Sequence, residues 1–132
     1  MNIKKEKLNG REVVVMEHMG VIYMNVTDHD FSLMDKNGDI VELPPSTLLV
    51  HVSLFHEVVA TDGDIELLRE THQGEESIED ILTLARGKGW YTIGSIIAKR
   101  AYPGLIFTGK IAPGYEAVPP AKRVQLAYRL IK

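Results

Sequence analysis

Asp35, Asn37 and Asp39, in the stretch MDKNGDIVELPPS, alternate as the first three oxygen ligands of a calcium-binding loop do. An EF-hand loop also needs glycine at its sixth position and a bidentate glutamate at its twelfth. Counted from Asp35, those positions hold Ile40 and Ser46, and the glycine, Gly38, comes too early. An Asn-Gly pair between apolar runs specifies a hairpin turn instead, because both residues tolerate positive φ. The stretch is therefore read as a hairpin. Pro44-Pro45 ends it by withdrawing two amide donors.

The other groups able to do chemistry are histidines and serines, since the chain has no cysteine and so neither disulfides nor thiolate sites. His51 and His56 are five apart, which puts them on opposite faces of a straight strand. Asp28-His29-Asp30 reads as a polar turn. No metal site and no cofactor are expected from these residues. A small hydrolase would pair His51 or His56 with Glu57 or Asp62 as general acid and base, and no motif brings them together. None of Ser46, Ser53, Ser77 and Ser95 lies in a G-x-S-x-G elbow. Ser95 follows Gly94 at a strand-to-helix junction, where helix amides receive anions and Lys99 and Arg100 add charge. Equally, Gly94 can serve close packing and Ser95 can be an ordinary N-cap. ARGKGW fails the phosphate-loop pattern and reads as a helix end, although Lys88 and Trp90 share a glycine-flanked loop.

Charge is unevenly distributed. Residues 57–85 hold nine Asp/Glu against Arg69, whereas residues 86–132 hold nine Lys/Arg against Glu116. A basic third interleaved with aromatic residues suits phosphates or nucleotides. It can equally be neutralised by the acidic middle, within one chain or between subunits. The leading expectation is a non-enzymatic binding protein for an anionic, nucleotide-like small molecule. Its site would use Trp90, Gly94, Ser95, Lys99, Arg100, Tyr115, Lys122 and Arg123. Nucleic acid is the weaker option, because no zinc-finger, helix-turn-helix or RNP signature is present. Two alternatives stay open: a structural or assembly protein, as a homo-oligomer or virion component, and the small hydrolase.

A chain of 132 residues fits one domain. Residues 1–10 are polar and expected to fray. The charged start has no apolar core of a signal peptide, and no apolar run approaches a membrane span, so a cytoplasmic location without a membrane partner is expected. Val13–Met16 and Val21–Val26 should form a hairpin around His18-Met19-Gly20, and FSLMD and IVEL a second one. Residues 47–52 and 55–60 read as strands, with a turn at Asp62-Gly63. Ser77 and Asp80 resemble a capping box behind Glu75 and Glu76, and Ile78, Ile81, Leu82 and Ala85 form one helical stripe. WYTI, LIFTGKI and VQLAYRLI read as strands, with a helix over 94–101. The fold class is α+β: one domain, a mostly antiparallel sheet of six or seven strands, and two helices in the C-terminal half. The expected core includes Val58, Ile96 and Ile97.

Two stretches carry a resemblance. YMNVTDHDFSLMDKNGDIVELPPSTLLVHVS is similar to the opening of small uncharacterised phage and prophage proteins, which read as a strand, an N-L-T-P-H turn, a strand, D-x-x-G, a strand, and then I-P-P-S-G before a valine-rich strand. WYTIGSIIAKRA followed by APG resembles their later Y-I-V-S-x-L-V-A segment. Together these cover about half the chain, with Asp28 where that pattern has proline and Thr47 where it has glycine. The resemblance implies a viral or mobile-element accessory protein and brings no activity with it.

Overall fold

The computed structural model describes residues 2–73 and 76–132. Tight turns build its front half. β1 (Asn2–Leu8), β2 (Arg11–His18) and β3 (Val21–Asn25) are joined by Asn9-Gly10 and Met19-Gly20. All four turn residues have positive φ, between 52° and 78°, the geometry that lets two residues reverse a twisted antiparallel pair. The leader expected to fray is thus a sheet edge, paired with β2 from Asn2 to Leu8, and Leu8 is fully buried. Its lysines look like a solvated tail in sequence, but lysine is also what protects an exposed edge. β4 (Phe31–Met34) and β5 (Ile40–Leu43) form the second expected hairpin.

After β5 the chain runs without a strand to β6 (Ser53–Asp62), which pairs with β7 (Ile65–Gln73). α1 (Glu76–Gly87), β8 (Tyr91–Ile93), α2 (Ile96–Ala101), β9 (Ile106–Ile111) and β10 (Val124–Ile131) follow. α1 buries Leu82 and Ala85, as its stripe predicts. It begins at Glu76, so Ser77 lies inside its first turn, and the part expected of Glu75 falls outside the described residues.

The main sheet has eight strands in the order β1-β2-β3-β8-β9-β10-β4-β5, and β6–β7 is a separate two-stranded sheet. This corrects the expected six or seven strands. The sheet is also mixed, because β3–β8, β8–β9 and β4–β10 are parallel. A helix between neighbouring strands demands this: α2 carries the chain from β8 back to the start of β9, which an antiparallel pair does not need. The helices are interleaved with strands, and the chain closes on β10.

Alternation gives the sheet two buried faces. Val13, Val15, Met24, Val26 and Ile106 pack under Leu82, Ala85, Ala98 and Tyr102 of the helices. Met16, Tyr23, Leu33, Leu43, Ile93, Phe107 and Ala127 line the other face, which the sheet covers by curling over itself. The Tyr23 hydroxyl donates across it to the Ala127 carbonyl at 3.0 Å. Asn25 and Pro45 form a parallel bridge where the curl brings the end of β5 to β3. The buried Asn25 amide donates to the carbonyls of His29 (2.7 Å) and Leu43 (3.0 Å), and its oxygen accepts from the Thr27 amide and hydroxyl. Its hydrogen-bonding capacity is filled.

Two further features depart from expectation. Val58, Ile96 and Ile97, placed in the core by sequence, are exposed. Every residue of β6 is exposed, so the β6–β7 hairpin is an arm projecting from the body. Thr47 has φ 75°, a left-handed conformation that a β-branched residue rarely adopts.

Candidate functional site: a cationic cavity at the mouth of the curled sheet

His18 ends β2 and Asp35 follows β4, so each stands at the lip of the curl just before a turn. One Asp35 oxygen accepts the amides of Asn37 (2.9 Å) and Asp39 (3.0 Å), fixing the hairpin turn. The other lies 2.8 Å from His18 Nε2. These side chains are 4% and 14% exposed, so the pair is a nearly dry latch between two strands that are not neighbours. The His18 hydrogen bond, helped by the two amides, holds the Asp35 carboxyl below the ordinary aspartate range. An ionised Asp35 assigns the proton to Nε2, which donates to it. That leaves His18 Nδ1 buried and without a hydrogen-bond partner among the described residues. The calcium-like spacing of Asp35, Asn37 and Asp39 is therefore hairpin chemistry, as read from the sequence.

Behind the latch opens a cavity of about 640 Å³, within the range of small-molecule sites. Arg86, in the last turn of α1, reaches into its wall. The guanidinium carbon lies 4.6 Å from the Tyr91 ring centre and 5.7 Å from that of Phe107. Nη1 donates to the Trp90 carbonyl at 3.3 Å. Stacking and one hydrogen bond fix the group and leave the rest of its donor fork uncommitted to that carbonyl. Lys36, 6.0 Å from the Tyr128 ring centre, and Lys132 complete the charge. Among the described residues, three basic side chains thus line the cavity with one acidic side chain, Asp35, which is already held by His18 and two amides.

The residues expected to form the site do not converge on this cavity. Trp90 is buried in the helix-covered core, with Lys88 above its ring. A Cβ on Gly94 would lie 2.8 Å from Ile106 Cγ2 and 3.2 Å from Val26 Cγ2, so this glycine serves close packing. Ser95 is the N-cap of α2, and its hydroxyl accepts from the Ala98 amide at 3.0 Å. Lys99 donates to the Thr108 hydroxyl, and Arg100 is exposed on the last turn of α2. Tyr115 packs against Ala112, Val124 and Leu126. Lys122 lies exposed in the 3-10 turn Pro120–Lys122, and Arg123 donates from Nε to the Val118 carbonyl.

The hydrolase groups are likewise dispersed. His51 lies exposed in the segment before β6, beside a shallow cleft of about 280 Å³ that Ser95 also lines. His56 faces Glu70 across the arm at 3.5 Å, and Glu57 is opposite Arg69. Among the described residues no group of three His, Asp or Glu side chains could hold a metal ion. No helix among them is long and apolar enough to cross a membrane.

His18, Lys36, Arg86, Tyr91 and Lys132, which line this cavity, are not among the residues expected from sequence. The one usable signal in the sequence was that His18 and Asp35 each precede a glycine-containing turn, which puts both at the same kind of strand end. No family model, no curated protein and no solved structure matches the chain.

Proposed function

We propose that this chain binds an anionic small molecule with a planar, nucleotide-like part, without turning it over, in the cavity at the mouth of the curled sheet. The observation carrying this reading is Arg86: a guanidinium stacked on Tyr91, tied to a backbone carbonyl and flanked by Lys36 and Lys132 around one cavity. A stacked, pre-oriented arginine gives charge-assisted hydrogen bonds to phosphate or carboxylate at low ordering cost. The rings of Tyr91, Phe107 and Tyr128 offer apolar surface to a flat group. The ligand class is the one the basic C-terminal third suggests, and Arg86 and Lys132 belong to that third. The site residues are new.

Asp35 supports binding over catalysis, because its oxygens are already committed to two amides and to His18. The likeness to small phage and prophage proteins stands beside this as a proposal of origin.

Thermal melting across a panel of nucleotides and aromatic phosphates tests the function. At least one should raise the melting temperature, since a ligand at a hundred times its Kd stabilises by about 2.7 kcal/mol. Arg86→Ala should weaken that ligand at least about tenfold. A flat response across the panel, or a response unaffected by Arg86→Ala, would overturn the reading.

A further inference from the structure

Beyond its root, which touches α2, the β6–β7 arm has no cover among the described residues. Leu54, Phe55, Val58, Ile65, Leu67 and Leu68 are each 44–64% exposed. Leu54 and Phe55 are adjacent in one strand, as are Leu67 and Leu68 in the other, so apolar side chains stand on both faces. An isolated two-stranded hairpin is marginal in water, and both of its outer edges are open to pairing. Five carboxylates, Glu57, Asp62, Asp64, Glu66 and Glu70, accompany a single Arg69. A second arm laid against the first would bring like charges together. The arm instead fits a basic, partly apolar strand edge.

Among the described residues the body has three free edges, and they differ in charge. On β1, Lys4 is paired with Glu17 at 2.6 Å and Lys5 with Glu12 at 3.7 Å, which leaves Lys7 as its one lysine without an ion pair among the described residues, and the strand already pairs along its whole length with β2. β5 carries the acidic Glu42. On β10, β4 pairs only with Val124–Leu126, and the outer side of residues 128–131 has no strand partner among the described residues. Tyr128 and Ile131 are exposed there, and Arg129, Lys132 and the neighbouring Lys36 carry no ion pair among the described residues. The arm's own root touches α2, on the helix-covered face, whereas the end of β10 lies at the cavity mouth. The matching edge is therefore sought on another molecule.

We propose that the arm of one copy adds to the free end of β10 on a second copy of this chain. Its strand edge continues the sheet beyond Tyr128–Ile131, and its carboxylates face Arg129 and Lys132. The arm and the edge are different surfaces, so the contact is head-to-tail and propagates into a ring or a filament. The two readings meet at this end of β10, since Tyr128, Leu130 and Lys132 also line the cavity, but Arg129 does not line it and Arg86 lies away from the edge, so variants at these two positions separate them.

Light scattering on size-separated full-length protein tests it with a charge swap. The wild type should form a species of at least twice the monomer mass. Asp62→Lys with Glu66→Lys on the arm, and separately Arg129→Glu on the edge, should each return it to monomer. The combined variant should reassemble. Circular dichroism and melting of each monomeric variant would show a folded body, since all these positions are exposed. A wild-type monomer overturns the proposal. So does an assembly lost with the arm variant but kept with Arg129→Glu, which would mean another partner for the arm, or combined charges that fail to restore it. Arg86→Ala should leave the assembly intact while weakening the ligand response, so the two readings fail separately.

Discussion

The β2–β3 hairpin and the β6–β7 arm are built from the same kinds of residues and meet opposite ends. Both join β-branched and aliphatic runs through a tight turn with glycine at positive φ. In β2 and β3 the apolar side chains enter either the helix-covered core or the curled face. In the arm, side chains of the same chemistry stay at the surface on both sides. Strand propensity selects the local conformation in both, but burial depends on what the rest of the chain brings to each face. α1, α2 and the curl serve β2 and β3, and nothing among the described residues serves the arm. One hairpin is the foundation of the body, and the other projects from it with its apolar side chains exposed.

Truncating one apolar side chain in each region gives the largest contrast. Leu82→Ala should destabilise the isolated body by about 2–5 kcal/mol, because it empties a fully buried site between α1 and the sheet. Phe55→Ala on the arm should change monomer unfolding by no more than about 0.5 kcal/mol, while weakening any assembly. Denaturant melts of the two variants read this directly, and equal losses would erase the distinction.

A smaller effect sharpens the comparison at the latch. Asp35 is held below its ordinary range in the folded body, chiefly by the His18 hydrogen bond. Its stabilising contribution is therefore complete above the ordinary aspartate range. It is lost as pH falls through that range towards the lower folded value. Asp35→Asn should flatten this part of the acid stability profile, and Glu66→Lys on the arm should leave it unchanged.

The smallest effect concerns the segment joining the two regions. Thr47 holds a left-handed backbone that costs an L-residue roughly 1–2 kcal/mol, against roughly 0.5–1 kcal/mol of extra chain entropy for glycine. Thr47→Gly should accordingly raise stability by about 0.5–1 kcal/mol, less whatever its 3.2 Å hydroxyl bond to the Glu12 carbonyl contributes. Calorimetry distinguishes this from the loss expected at an unstrained position.

What could be read in advance was local. Asn37-Gly38 announced its hairpin, and Ile81, Leu82 and Ala85 announced the buried side of α1, because turn geometry and helical period are written in neighbouring residues. β1 was hidden by its lysines. β7 was hidden because IELLRETHQ alternates poorly. The cavity was out of reach for a different reason. His18 and Asp35 meet only because β3, β8, β9, β10 and β4 follow one another across the sheet, an order no local pattern encodes. Arg86 was legible as a cation suited to a helix C-terminus, but its seat on Tyr91 depends on the same long-range order. The basic third was a sound indicator of charge and a poor locator of a pocket, since most of its members face solvent or bond to nearby backbone.

That strand order also governs how the chain can be made. β8, β9 and β10 lie between β3 and β4 in space but follow both of them, and the β6–β7 arm, in the chain. β8 and β9 can extend the β1–β3 side as they emerge, but until Val124–Leu126 of β10 follow, no strand joins that side to β4, and the Asp35 side of the mouth has no scaffold to hold it against His18. Nascent chains must therefore carry half a sheet with open inner edges through most of their synthesis. The body is completed in one late step, when the final strand is inserted between strands already waiting for it.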